Sequence, residues 1–91
     1  MIKKFKNFEI VEELGRNQFV IHFENGCIFQ SYDSIIAYKI NEKCYLTSKW
    51  NYSRTTMKYL YLFLEDYCYF NKLNKKEIEK LIEENTFKLV D

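Results

Sequence analysis

Apolar and polar residues alternate through the first half of the chain, and the spacing changes to a helical period in the second half. From Gln18 to Phe23, Phe19, Ile21 and Phe23 share one face and Val20 and His22 the other, which is the period-two pattern of a strand. Glu24-Asn25-Gly26 follows, and Asn-Gly predicts a hairpin because both of its turn positions favour positive φ. Cys27 to Tyr32 is the return strand, Asp33-Ser34 turns the chain, and Ile35 to Ile40 reads as another strand. Asn41-Glu42-Lys43 then leads into Cys44-Tyr45-Leu46, while Phe8 to Leu14, ended by Gly15, supplies an earlier strand. These spans predict an antiparallel meander of four to five short strands over about residues 8–47.

Beyond Ser53 the apolar residues Met57, Leu60, Tyr61, Leu64, Tyr67 and Cys68 fall on one side of a helix over about 54–70. Ser53 is a candidate N-cap, because its hydroxyl can accept a free backbone N–H. Tyr59, Leu62, Phe63, Tyr69 and Phe70 lie off that stripe, so this helix is apolar around much of its circumference. Asn71 to Asn74 breaks it, and Asn74 with Glu77 has the spacing of a capping box. A second helix over about 75–84 buries Ile78, Leu81 and Ile82, and Thr86 to Val90 is a last strand or a tail against the core. Strands followed by helices, without β-α-β alternation, predict the α+β class. The expected architecture is the meander followed by a long and a short helix packed on one sheet face.

Composition fits one domain spanning 1–91, with no proline, no Gly/Ser-rich linker and no repeat. A chain this short needs large side chains to build a core, and aromatics make up 19% of it. The net charge of +1 disfavours both a polyacidic mimic of DNA and a strongly basic coat for nucleic acid. The charge is nonetheless uneven. Residues 43–64 hold Lys43, Lys49, Arg54 and Lys58 and no acid. Cys27, Cys44 and Cys68 are odd in number and widely spaced, which reads as three reduced, buried thiols. They lack the close pairs and fourth ligand of a zinc site, so no metal is expected. No stretch approaches the ~20 apolar residues of a membrane span. The basic start, Met1 to Asn7, is not followed by the apolar core of a signal peptide. Both observations predict a cytoplasmic protein with no membrane partner.

Catalytic chemistry is thinly represented. His22 is the one histidine and sits mid-strand on the minor face, where it reads as structural or surface-exposed. A Cys–His pair would take Cys27, the cysteine nearest to it in sequence. The pairs Glu12-Glu13, Glu65-Asp66 and Glu83-Glu84 read as solvated edges and helix flanks. With Gly15 and Gly26 the only glycines, there is no phosphate loop and no cofactor is expected. No catalytic residue is assigned, and the chain is not read as an enzyme.

Lys43 to Leu64 is the informative stretch. Lys49, Trp50, Tyr52, Arg54 and Lys58 form a candidate partner-binding set at the entry to a helix, whose N-terminus favours anions. Trp, Tyr and Arg predominate at protein hot spots, and the same residue types stack on bases and contact phosphate. The plainer alternative is that Trp50 and Tyr52 seal the bottom of the sheet while Ser53 and Thr56 cap the helix.

Phe29-Gln30-Ser31-Tyr32, Ile36-Ala37, Tyr45-Leu46, Trp50-x-Tyr52-Ser53-x-Thr55-Thr56-x-Lys58 and Phe63-Leu64 form a spaced pattern over about residues 19–64. It resembles a family of short uncharacterised proteins from phages, prophages and plasmids of Firmicutes. The sequence departs from that family in its richer aromatic content around Tyr67 to Phe70. The resemblance implies no catalytic residues. It implies a mobile genetic element, where small accessory proteins often act by binding a host protein. The expected function is inhibition of a host defence system by stoichiometric binding of a host protein or ribonucleoprotein, with anti-CRISPR as the leading case. The alternative is an accessory nucleic-acid-binding protein of phage replication or transcription. A homodimer, through an edge strand or the outer face of the long helix, is compatible with either.

Overall fold

The computed structural model describes residues 8–71 and 73–90. Residues 1–7, Lys72 and Asp91 belong to the expected single domain but lie outside the described residues, and the basic Met1–Asn7 start lies there with them. Five strands come first: β1 (Phe8–Gly15), β2 (Gln18–Phe23), β3 (Gly26–Ser31), β4 (Ser34–Ile40) and β5 (Lys43–Leu46). They are followed by α1 (Arg54–Tyr67), α2 (Lys75–Glu83) and the short β6 (Lys88–Leu89). Among the described residues the strands form a sheet in sequential order from β1 to β6. The first five pair antiparallel and β6 joins β5 in parallel. This is the expected α+β meander, with a last strand returning after the helices.

The core lies between this sheet and α1. Val20, Cys27, Phe29, Ala37 and Leu46 are buried on the strands, and Leu60, Phe63 and Leu64 on α1. Phe29 of β3 stacks on Phe63, with ring centroids 5.8 Å apart. The covered side is therefore the Val20 side, which the alternation makes the minor face, and not the side of Phe19, Ile21 and Phe23. The reason is hydrogen-bond register. Val20 lies opposite Phe29, and Phe29 opposite Ala37, so these positions share one face across three strands. A bulge between Phe29 and Gln30 lets Ile36 as well as Ala37 turn inward. On α1 the buried set is Thr56, Leu60, Phe63 and Leu64, and Met57 and Tyr61 of the expected stripe are half-buried.

α2 begins as its sequence predicts. The Glu77 N–H donates to Asn74 Oδ1 (2.9 Å) and the Asn74 N–H to Glu77 Oε1 (3.0 Å). Ile78 is fully buried, and Leu81 and Ile82 pack half-buried on the same cluster. Phe87, next to β6, meets Phe70 edge-on at 4.8 Å.

Three local expectations change. The β2–β3 hairpin turns on Glu24-Asn25, with Gly26 already paired to Phe23, and neither Asn25 nor Gly26 has positive φ. Glycine is required at 26 because the Lys39 carbonyl occupies the space a Cβ would fill. The long helix ends at Tyr67 with Cys68 as its C-cap, before Asn71, since Tyr69 takes the left-handed conformation at φ 61°. Finally, Cys44 and Cys68 are joined in a disulfide with a Cα–Cα distance of 6.4 Å, which corrects the expectation of three reduced thiols. A sequence separation of 24 conceals that pair. Only the seating of α1 brings its C-cap to β5. Cys27 is the free, buried thiol expected.

A disulfide closing a loop of this length stabilises mainly by restricting the unfolded chain. Cys44→Ser, or reduction with a dithiol, should lower unfolding stability by roughly 3 kcal/mol. Urea denaturation of the oxidised and reduced protein measures this, and coincident midpoints would contradict the bridge.

Candidate interaction site at the β5–α1 end

The connection from β5 to α1 is built on Thr47. Its hydroxyl donates to the Ile35 carbonyl (2.7 Å), and its N–H donates to the Ile36 carbonyl (2.9 Å). Two short turns follow, from the Trp50 N–H to the Thr47 carbonyl and from the Tyr52 N–H to the Lys49 carbonyl, each 3.1 Å. Ser53 then caps α1: its Oγ accepts the Thr56 N–H at 3.1 Å. The Thr56 hydroxyl, itself buried, accepts from Ser53 Oγ at 3.1 Å and pairs with Ser31 Oγ at 3.0 Å. Gln18 lies opposite Ser31 in the sheet, and its fully buried side-chain amide has no hydrogen-bond partner among the described residues.

These bonds decide which of the candidate residues face solvent. Trp50 is 6% exposed and belongs to the core, whereas Tyr52 is 76% exposed. Lys49, Arg54 and Lys58 are exposed as well. Arg54 and Lys58 lie on one helix face, and the Lys58 ammonium sits 5.4 Å from the Tyr59 ring centroid. The plainer sequence alternative thus holds for Trp50 and for the Ser53 cap, and does not hold for Tyr52.

Two apolar residues that sequence reasoning passed over join this end of the sheet. Tyr32 and Ile35 flank the β3–β4 turn and are 52% and 36% exposed. The Tyr32 N–H donates to the Asn17 carbonyl at 2.7 Å, which brings the Arg16-Asn17 turn alongside. Tyr32 is held at φ 55°, a left-handed conformation that is unfavourable for a bulky side chain by roughly 1–2 kcal/mol. Residues kept in such conformations tend to occur at functional sites. The sequence signal was faint, being an aromatic residue at a turn position where Asn or Gly is usual.

The opposite end of the sheet holds a second cluster that the sequence did not assemble. The Tyr67 hydroxyl donates to Glu12 Oε1, and His22 Nε2 lies 3.3 Å from the same oxygen. The His22 and Tyr67 rings meet edge-on at 5.2 Å. Glu12 is therefore not the solvated edge its sequence suggests. The Tyr67 hydroxyl, helped by His22, holds its carboxyl below the ordinary 4.5, against the opposing effect of burial. Burial and the neighbouring Glu12 push the Tyr67 phenol well up. Cys27 lies directly opposite His22, but burial raises its thiol to about 11, so it stays protonated at neutral pH. The cluster ties β1 and β2 to α1. Among the described residues, no group of three His, Cys, Asp or Glu could hold a metal ion.

The structure defines a small α+β domain with an exposed aromatic and basic surface where β5 meets α1. Residues 4–80 match the model of a family of unknown function, DUF8033, and the chain belongs to that family. No curated protein and no solved structure matches the chain. Among the described residues, no helix is long and apolar enough to cross a membrane.

Because the folded carboxyl of Glu12 lies below its unfolded value, its contribution to stability is present above about pH 4.5 and fades as the pH falls through the folded value. Glu12→Gln should flatten that acid limb, as measured by unfolding free energy between about pH 7 and pH 3. Tyr32→Asn should raise stability by roughly 0.5–1 kcal/mol by relieving the left-handed backbone, while weakening any contact made through this surface.

Proposed function

We propose that the protein is a stoichiometric binding module whose contact surface is Tyr52, Lys49, Arg54 and Lys58, extended by Tyr32 and Ile35. The observation that carries this reading is the mismatch between charge and helix polarity. The first turn of α1 contains no acid, and Arg54 and Lys58 stand at its positive end. Cations are unfavourable there, so these residues do not serve the helix. Beside an exposed tyrosine they have the composition of a protein hot spot and suit a partner surface bearing acidic groups.

The biological setting we attach to this surface is inhibition of a host defence system by a mobile-element protein in the bacterial cytoplasm, with anti-CRISPR as the leading case. The support is the phage and plasmid resemblance of the Trp50 to Lys58 motif. Protein contact is preferred over nucleic-acid binding because Trp50, the ring best suited to stacking on bases, is in the core.

Affinity capture of the tagged protein from host lysate, with and without nuclease, tests the reading. A host protein or ribonucleoprotein should survive nuclease, and Tyr52→Ala with Arg54→Glu should reduce its recovery at least tenfold, about 1.4 kcal/mol. Nucleic acid alone, lost on nuclease treatment, would replace this reading with the nucleic-acid one.

A further inference from the structure

The sheet face turned away from α1 is apolar. Ile21, Ile28, Tyr38 and Tyr45 lie opposite one another in register across β2 to β5. Phe19 and Ile40 flank this row on the same face, since side chains alternate along each strand. None of these six side chains belongs to the buried core cluster. Ile21 is buried and the other five are half-buried.

The charges around this face are sorted by edge. Glu13, opposite Phe19, stands on the β1 side. Lys43, opposite Ile40, stands on β5, and Lys88, opposite Tyr45, on β6. All three are exposed, and none makes an ion pair among the described residues. One edge is acidic and the other basic, with an uncharged row between them.

That arrangement is self-complementary. A two-fold axis in the plane between two such faces, running close to the strand direction, turns one sheet over and lays the acidic edge of each copy above the basic edge of the other, with Glu13 nearest the level of Lys88 and Lys43 towards the far end of the strands. It also sets Ile28 and Tyr38, at the middle of the row, near the axis, where two apolar sheet faces pack about 10 Å apart. We propose that this face closes a homodimer in which two copies pack sheet to sheet, with Glu13 of each paired to the basic edge of the other. The dimer uses the face away from α1, whereas Arg54 and Lys58 of the partner surface stand on α1.

Size-exclusion chromatography with light scattering on the full chain, on the order of 100 µM, tests this. The expected mass is twice the 11.2 kDa of one chain. Ile28→Asp, which places a charge at the centre of the interface, should give a folded monomer. Glu13→Lys should weaken the dimer roughly tenfold by setting like charges together, and adding Lys88→Glu should restore it to within about threefold of wild type. The charge swap reads the interface even if Ile28→Asp impairs folding. A monomeric wild-type protein, a dimer indifferent to Glu13→Lys, or a double variant no tighter than the single one would overturn the proposal.

Discussion

The stack of Phe63 on Phe29 fixes how α1 lies on the sheet, and the rest of the structure depends on that setting. A helix seated at one point can still rotate about its axis and slide along the sheet. Here both freedoms are removed by bonds at its two ends. Thr56 meets Ser31 at the N-terminal end, and Tyr67 meets Glu12 at the C-terminal end. With the helix so placed, Cys68 falls against Cys44 and closes the disulfide. Each of these polar or covalent contacts is short-ranged. None would form if the buried apolar side chains did not first set the axis, because their partners are 24 or more residues apart along the chain.

Several local preferences are overridden, and mostly near the ends of the sheet. Tyr32 and Tyr69 occupy left-handed conformations that suit Asn or Gly, yet both side chains are largely exposed. Arg54 and Lys58 oppose the polarity of their own helix. Gln18 carries a buried amide beneath the capped turn. A sequence selected for stability alone would avoid these choices, and real proteins concentrate such exceptions where function is placed. The cluster of Glu12, His22 and Tyr67 is different in kind. Its groups satisfy one another, and the shifted acidities of Glu12 and Tyr67 follow from that satisfaction and from burial.

Much of the fold was legible in the residues. Alternation in Gln18 to Phe23, the helical spacing from Met57 onward, Ser53 before the long helix and the Asn74–Glu77 pair are all local signals, and they set elements within a few residues of those observed. What misled was also local. Asn25-Gly26 looked like a left-handed turn, whereas Gly26 is needed for its lack of a side chain beside the Lys39 carbonyl. Of the candidate site, Lys49, Tyr52, Arg54 and Lys58 could be named from type and position. Tyr32 and Ile35 could not, because they arrive from another turn through the bonds of Asn17 and Thr47.

The sequence by itself determined the order and kind of the elements, the caps of both helices and the concentration of positive charge around the entry to α1. Each of these depends on residues within a turn or two of one another. The tertiary structure decided which sheet face is covered, that Trp50 is core while Tyr52 is surface, and that Cys44 meets Cys68. It likewise decided that Glu12 is the acceptor of Tyr67 and not a free, solvated edge. These depend on inter-strand register and on the rotation of one helix. Both are set by the collective packing of side chains distant in sequence, which no local pattern records.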